Sequence, residues 1–350
     1  MKSLILFFYL IVSIPVYPQN VYNNFMKEFY LDRSPSAKAI SMGGGLVAYP
    51  EYEFSSWYNP ATVGLSEPIT TNFSYVSADE KKYLYDFNIS YNSGRYGAFG
   101  FSFVCLNANS GDGIPESSAE WKYNLYNFNY AYQPFKYFFA GINLNILHID
   151  KIIIPQTIFP IDIGIVKIFQ LSDSKNYIHK LTLGSALYNL TNVKVDKIIS
   201  EEPYTKMSDP LPVIFRLGAS YNFIKNVKIK NGNLKLINFI GQIEIEKLLN
   251  SGYYTTYKAG AEITLADAFS FRAGYYDKDF NIGDNYILNQ HQFTYGAGLK
   301  IPFIFLPDFA RFNIKFDLSF NPQVAFEGYG RFYNVHTINL SVRWNEPINF

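Results

Sequence analysis

The chain has 350 residues and a formal net charge of +1, so it offers no electrostatic footprint for nucleic acid. Its most telling residues are 30 Tyr and 32 Phe, which bring the aromatic share to 19%, roughly twice that of ordinary soluble domains. A mean hydropathy of −0.04 excludes a bundle of membrane helices. It does not exclude a barrel, whose polar lumen and apolar lipid face average out.

The N-terminus reads as a secretory signal peptide over 1–19: Lys2, then the apolar run LILFFYLIVSIPV, then VYPQN, with cleavage near Pro18 or Gln19. The run is shorter than the ~20 residues a membrane span needs, and Pro15 and Pro18 interrupt it. Residues 20–68 follow without clean alternation. Their core, SAKAISMGGGLVAYPEYEFSSWYNPATVG, is rich in Gly, Ala, Ser and Pro. Such a segment packs tightly inside a lumen or forms a periplasmic extension. Gly43-Gly44-Gly45 is not followed by Gly-Lys-Ser/Thr, so it does not read as a phosphate loop. Close backbone packing explains it instead.

From residue 69 to the C-terminus the sequence alternates with period two, the strand signature. Tyr126, Phe128, Tyr130 and Tyr132 oppose Asn127, Asn129, Ala131 and Gln133. Phe312, Ile314, Phe316, Leu318 and Phe320 oppose Arg311, Asn313, Lys315, Asp317 and Ser319. The pattern predicts strands near 69–77, 83–92, 95–106, 122–133, 136–148, 158–169, 178–190, 212–224, 233–247, 252–265, 268–278, 290–301, 309–320 and 334–344. Tilted strands of ~9–11 residues cross a bilayer, whereas soluble strands run ~5–6. The expected fold is therefore all-β: a transmembrane antiparallel barrel of about 14 strands over 69–350, preceded by segment 20–68.

Connections are expected to alternate between short periplasmic turns and longer external loops, placing both termini in the periplasm. Ser93-Gly94, Pro134-Phe135 and Ala266-Asp267 read as tight turns, and 107–121, 149–157, 191–211, 279–289 and 321–333 as long loops. Connection 248–251 is short for a loop, and 225–232 is long for a turn.

Charges on the polar sides of these strands are Asp86, Arg216, Glu244, Glu246, Arg272, Arg311, Lys315, Asp317 and Arg343. Facing lipid at mid-bilayer would cost ~2–4 kcal/mol for each Arg or Lys, so they are expected to point inward and form a lumen charge network. A ligand or ion path is the alternative use. Tyr83, Tyr91, Tyr126, Tyr132, Tyr137, Tyr275, Tyr295 and Trp344 suit interfacial girdles. His148, His179, His291 and His336 are scattered without metal spacing, and Gly-x-Ser-x-Gly is absent, so neither catalytic residues nor a metal or other cofactor is expected. The lone Cys105 reads as an apolar strand residue.

Residues 36–64 resemble the N-terminal segment of the fatty-acid-transporter superfamily of outer-membrane barrels, in particular its PorV/PorQ branch. The resemblance rests on Ser36, Ala37, Ala39 and Met42-Gly43-Gly44, then Asn59-Pro60-Ala61, with weaker likenesses at GSALYNL, LPVIFRLGASYNF, TYGAGLKI and HTINLSVRW. It implies a fourteen-stranded barrel in the bacterial outer membrane with segment 20–68 as an N-terminal hatch inside its lumen, Met42, Gly43, Gly44, Asn59, Pro60 and Ala61 forming the hatch motif. Two functions follow from the resemblance. The preferred one is a non-enzymatic barrel binding secretion-system or cargo proteins in type IX-like secretion or surface attachment. The alternative is a transporter for fatty acids or other hydrophobic small molecules. Outer-membrane lipid is the expected surrounding in both.

Overall fold

A computed structural model describes residues 36–51, 55–77, 82–109, 120–150, 155–174, 176–200, 205–229, 232–250, 255–283, 286–301, 312–326 and 331–344. The strands are β1 (Ile69–Ser77), β2 (Lys82–Asn92), β3 (Ala98–Asn109), β4 (Glu120–Phe135), β5 (Phe138–Asp150), β6 (Gln156–Ile158), β7 (Ile161–Asp173), β8 (Tyr177–Tyr188), β9 (Lys194–Ser200), β10 (Thr205–Pro210), β11 (Ile214–Ile229), β12 (Gly232–Leu248), β13 (Thr255–Leu265), β14 (Phe269–Gly283), β15 (Tyr286–Ile301), β16 (Phe312–Phe326) and β17 (Arg331–Trp344). β6 is a short addition to β5, and β9 and β10 pair only with each other. The other fourteen form one antiparallel ring, closed where β1 pairs with β17 from Ile69↔Trp344 to Ser77↔His336. Closure leaves no free edge, which a sheet in lipid requires.

Period-two alternation separates the two faces of the ring. On β2, Leu84, Asp86, Asn88 and Ser90 are buried, while Tyr85, Phe87 and Ile89 are exposed. On β4, Tyr126, Phe128, Tyr130 and Tyr132 are exposed, and Asn127, Asn129 and Ala131 are buried. The exposed set continues around the ring with Ile163, Ile165, Ile243, Tyr257, Phe271, Phe293, Tyr295, Ile338 and Leu340. A continuous belt of this kind is far larger than the few hundred Å2 a soluble monomer exposes, and it suits acyl chains. Aromatic rungs cross it, including Phe99–Tyr130, Phe101–Phe128 and Phe103–Tyr126, with centroids 5.1, 5.2 and 5.1 Å apart.

All fourteen expected strands are present, and several are longer than expected. β11 and β12 reach 229 and 232, so the connection that looked too long for a turn is two residues. Segments 279–289 and 321–333, expected as long loops, are mostly strand, because β14–β15 and β16–β17 continue pairing to Gly283↔Tyr286 and Phe326↔Arg331. Their Asn, Asp and Gly content reads as loop, but ladder pairing with the neighbouring strand outweighs local preference. The turn placed at Pro134-Phe135 lies at Lys136-Tyr137, with Tyr137 at φ 61. Ala266 and Asp267 both adopt positive φ (51 and 52), the geometry of a two-residue hairpin turn. The connection 189–213 is long as expected but carries the β9–β10 hairpin, which alternation alone did not reveal.

Candidate functional site: the inward face and segment Ser36–Ser66

Helix α1 (Ala37–Ser41) begins where Ser36 Oγ accepts the Ala39 amide, and it packs against β14–β17. The chain then turns at Gly43 and Gly44, both at positive φ (76 and 78). Residues 42–49 pass along β8 and β11–β14, and a 3-10 turn (Pro60–Leu65) meets β2–β5 and β7. The segment thus touches inward residues on opposite sides of the ring. Asn59 caps the 3-10 turn by accepting the Ala61 amide at 3.0 Å. Its carboxamide nitrogen donates to Val47 O (2.8 Å), Ile165 O (3.0 Å) and Ser185 O (3.3 Å). One side chain therefore ties two stretches of the segment to β7 and β8.

The wall is cut away where the segment passes. Gly141, Gly164, Gly184, Gly218, Gly260, Gly274 and Gly296 all face inward, and a Cβ on any of them would overlap residues between Ser41 and Ala61, with backbone atoms of Val47, Pro60, Met42 and Gly43 among them. Gly141↔Gly164, Gly184↔Gly218 and Gly260↔Gly274 are register partners, so the groove runs from strand to strand. Polar groups fill the gaps between them. Val47 N donates to Glu244 Oε2 (2.9 Å), Gly43 N to Thr294 Oγ1 (3.1 Å), and Ser220 Oγ to Ala48 O (2.6 Å). Asn143 donates to Ser56 O (3.0 Å), Asn129 to Pro60 O (3.1 Å), and Tyr188 to Tyr58 O.

The inward charges form two sets. In the first, Arg216 Nε lies 2.8 Å from Glu246 and 3.7 Å from Glu244, and Lys258 Nζ lies 2.7 Å from Glu246 and 3.4 Å from Glu244. Arg216 also stacks over Tyr188, 4.8 Å from its centroid. In the second, Glu262 accepts from Arg272 and from Tyr49 (2.9 Å), and Lys38 lies 3.8 Å from Glu262, 4.0 Å from Glu51 and 3.1 Å from the Tyr49 hydroxyl. In each set two cations lie against two carboxylates. Buried charge in an apolar surrounding requires such matching.

Of the sequence-selected charges, Arg216, Glu244 and Glu246 come together in the first set, and Arg272 joins the second. Asp86 stands apart from both, without a hydrogen bond or ion pair to any described residue, so it is not a network member as expected. Lys315 is buried on the inward face and Arg343 is half-buried there. Arg311 and the Asp317 side chain lie outside the described residues. The sequence reading missed Lys258 and Glu262, although both alternate with Gly260 on the polar side of β13. It also missed Lys38, whose role was hidden because it is the one charge in a small-residue stretch.

The inward face is not polar throughout. At the loop end of the ring, Val76, Leu84, Val104, Leu125, Leu147, Ile149, Tyr188, Ile214 and Leu248 form one apolar cluster. Val195 of β9 and Leu211 join it from the long connection, and Trp57 packs against it from the segment. The barrel therefore has a polar waist under an apolar end layer, and the β9–β10 connection contributes to covering that layer. Three histidines have separate partners: His148 meets Thr157 (3.0 Å), His179 meets Tyr221 (2.6 Å), and His291 meets Asp277 (3.1 Å); the His336 side chain lies outside the described residues.

No protein-family model and no curated protein matches the chain. Among solved structures, it is similar to the Ralstonia pickettii toluene transporter TbuX at 12% identity, covering 90% of this chain and 100% of that one, with a TM-score of 0.49. The Pseudomonas putida toluene transporter TodX gives 10% identity, coverage of 88% and 96%, and a TM-score of 0.48. The CymD monoaromatic hydrocarbon channel gives 9%, coverage of 90% and 99%, and 0.49.

Proposed function

We propose that this chain is a non-enzymatic barrel of the bacterial outer membrane, like the fatty-acid-transporter superfamily, that admits hydrophobic small molecules. The apolar layer at the loop end carries this reading. A lumen that served only water or polar solutes would keep its inward face polar to the rim, yet Leu84, Leu125, Leu147 and Ile214 turn inward there. Apolar surface that faces inward and meets a few polar groups below is the chemistry of a hydrophobic ligand site. Segment Ser36–Ser66 then serves as the hatch below it, held by the glycine groove and the Asn59 bonds. The loop end faces outward and the termini lie in the periplasm.

The secretion-partner expectation fits less well. The long connection turns Val195 and Leu211 into the apolar layer, so those residues cover the lumen and are not offered to a protein.

Uptake decides the matter. Bacterial cells carrying the barrel are expected to take up a labelled arene or fatty acid faster than cells without it. The double variant Leu125→Asn, Leu147→Asn should lose that gain while remaining at the surface. Equal uptake with and without the barrel refutes the transport reading.

A further inference from the structure

We propose that Asp86 is a binding site for the protonated amine of a hydrophobic ligand, a subsite that rests on the transport reading. Asp86 is on the inward face of β2, 2% exposed, and its Oδ1 has no hydrogen-bond partner. It lies directly beneath the apolar layer. Leu84 precedes it on the same face, Val104 is its register partner on β3, and Val76 is the register partner of Leu84; all three belong to the layer.

Charge accounting singles out Asp86. Arg216 and Lys258 are matched by Glu244 and Glu246, and Lys38 and Arg272 by Glu51 and Glu262. Asp162, a buried carboxylate outside both sets, accepts from Asn143 (3.2 Å), Asn145 (2.8 Å) and the Asn189 amide (2.9 Å). Asp86 has neither form of compensation. A lone buried carboxylate is costly, and an ionisable group kept inside a membrane protein ordinarily has a functional partner. Below it on β1 and β2, Asn72 Oδ1, Thr70 Oγ1 and Ser90 Oγ are buried without partners. These side chains continue the polar surface from Asp86 toward the turn end and suit an ammonium group or its water. A ligand with an apolar body would occupy the layer while its cationic head satisfies Asp86. An anionic head would meet like charge.

The test is calorimetric titration of the purified full barrel in micelles with phenylbutylamine, phenylbutanol and phenylbutyrate, using protein-free micelles as blank. The amine should bind about tenfold tighter than the alcohol and tighter still than the carboxylate. Asp86→Asn should bring the amine to the affinity of the alcohol and leave the alcohol unchanged. Gel mobility of heated against unheated protein verifies that the variant barrel is folded. Equal binding of all three ligands to the wild type, or an amine preference that survives Asp86→Asn, overturns the amine subsite and leaves the transport reading standing. Binding of none of the three overturns both.

Discussion

Gly260 of β13 and Gly274 of β14 are register partners, and together they seat the backbone of Met42 and Gly43 against the wall. A Cβ on Gly260 would lie 2.5 Å from Met42 O, and one on Gly274 would overlap Gly43 N. Backbone cannot swing aside as a long side chain can. Gly260→Ala or Gly274→Ala should therefore cost about 1–3 kcal/mol or displace the segment. Gly241→Ala, whose Cβ would meet Phe239 at an ordinary 3.5 Å, is the control. Urea unfolding midpoints in lipid vesicles measure the difference, and equal midpoints for Gly241→Ala and Gly274→Ala would refute the groove.

The ring was legible because alternation is a local signal: outward aromatic residues take turns with inward polar ones, as in Tyr126-Asn127-Phe128-Asn129. The apolar layer was harder to read. Leu84, Leu125 and Leu147 sit beside apolar outward residues, so alternation fades at the loop end although the side chains still face inward. The partners of Lys38, Tyr49 and Glu51 depend on how an irregular segment crosses the ring, and no spacing rule encodes that. The glycines were visible individually, but their alignment appears only once strand register is known.

Glu262 is the keystone of the second charge set. It accepts from Arg272 and Tyr49 and faces Lys38, all in buried surroundings. Glu262→Ala removes the carboxylate that buried Arg272 and Lys38 share, so a loss of about 3–5 kcal/mol is expected. Lys300→Met breaks the half-exposed Lys300–Asp267 pair (2.7 Å) and should cost no more than about 1 kcal/mol. The same unfolding assay ranks them, and a Glu262→Ala loss as small as that of Lys300→Met would contradict the assignment.

Acid should weaken the hold on the segment. Burial pushes the Glu51 carboxyl up, but Lys38, Lys235 and Arg343 outweigh it and hold it below its usual range. A carboxylate lowered on folding stabilises the folded form above its unfolded pKa, and the contribution disappears as pH falls through the folded value. The stability gap between wild type and Glu51→Gln should therefore be widest at neutral pH and close below about pH 4. A gap that stays constant to acid pH would show that the Glu51 charge contributes nothing.

Asn59 joins the segment to itself and to two strands with one carboxamide, and the chemistry of that group sets the last expectation. Its nitrogen faces the carbonyls of Val47, Ile165 and Ser185, while its oxygen accepts from Ala61. Asn59→Asp keeps the cap to Ala61 but turns an oxygen toward the three carbonyls, replacing donation with repulsion. Asn59→Ala loses both and takes the donor from Val47 O, at about 1–3 kcal/mol. The aspartate variant should therefore be the more harmful of the two, although it conserves shape. The damage should be local, because the ladder hydrogen bonds of β7 and β8 do not depend on this side chain. Limited proteolysis followed by mass spectrometry should show cuts between residues 36 and 66 in Asn59→Asp before any in the strands. Protection of that segment equal to wild type would mean that the wall glycines, not Asn59, hold it in place.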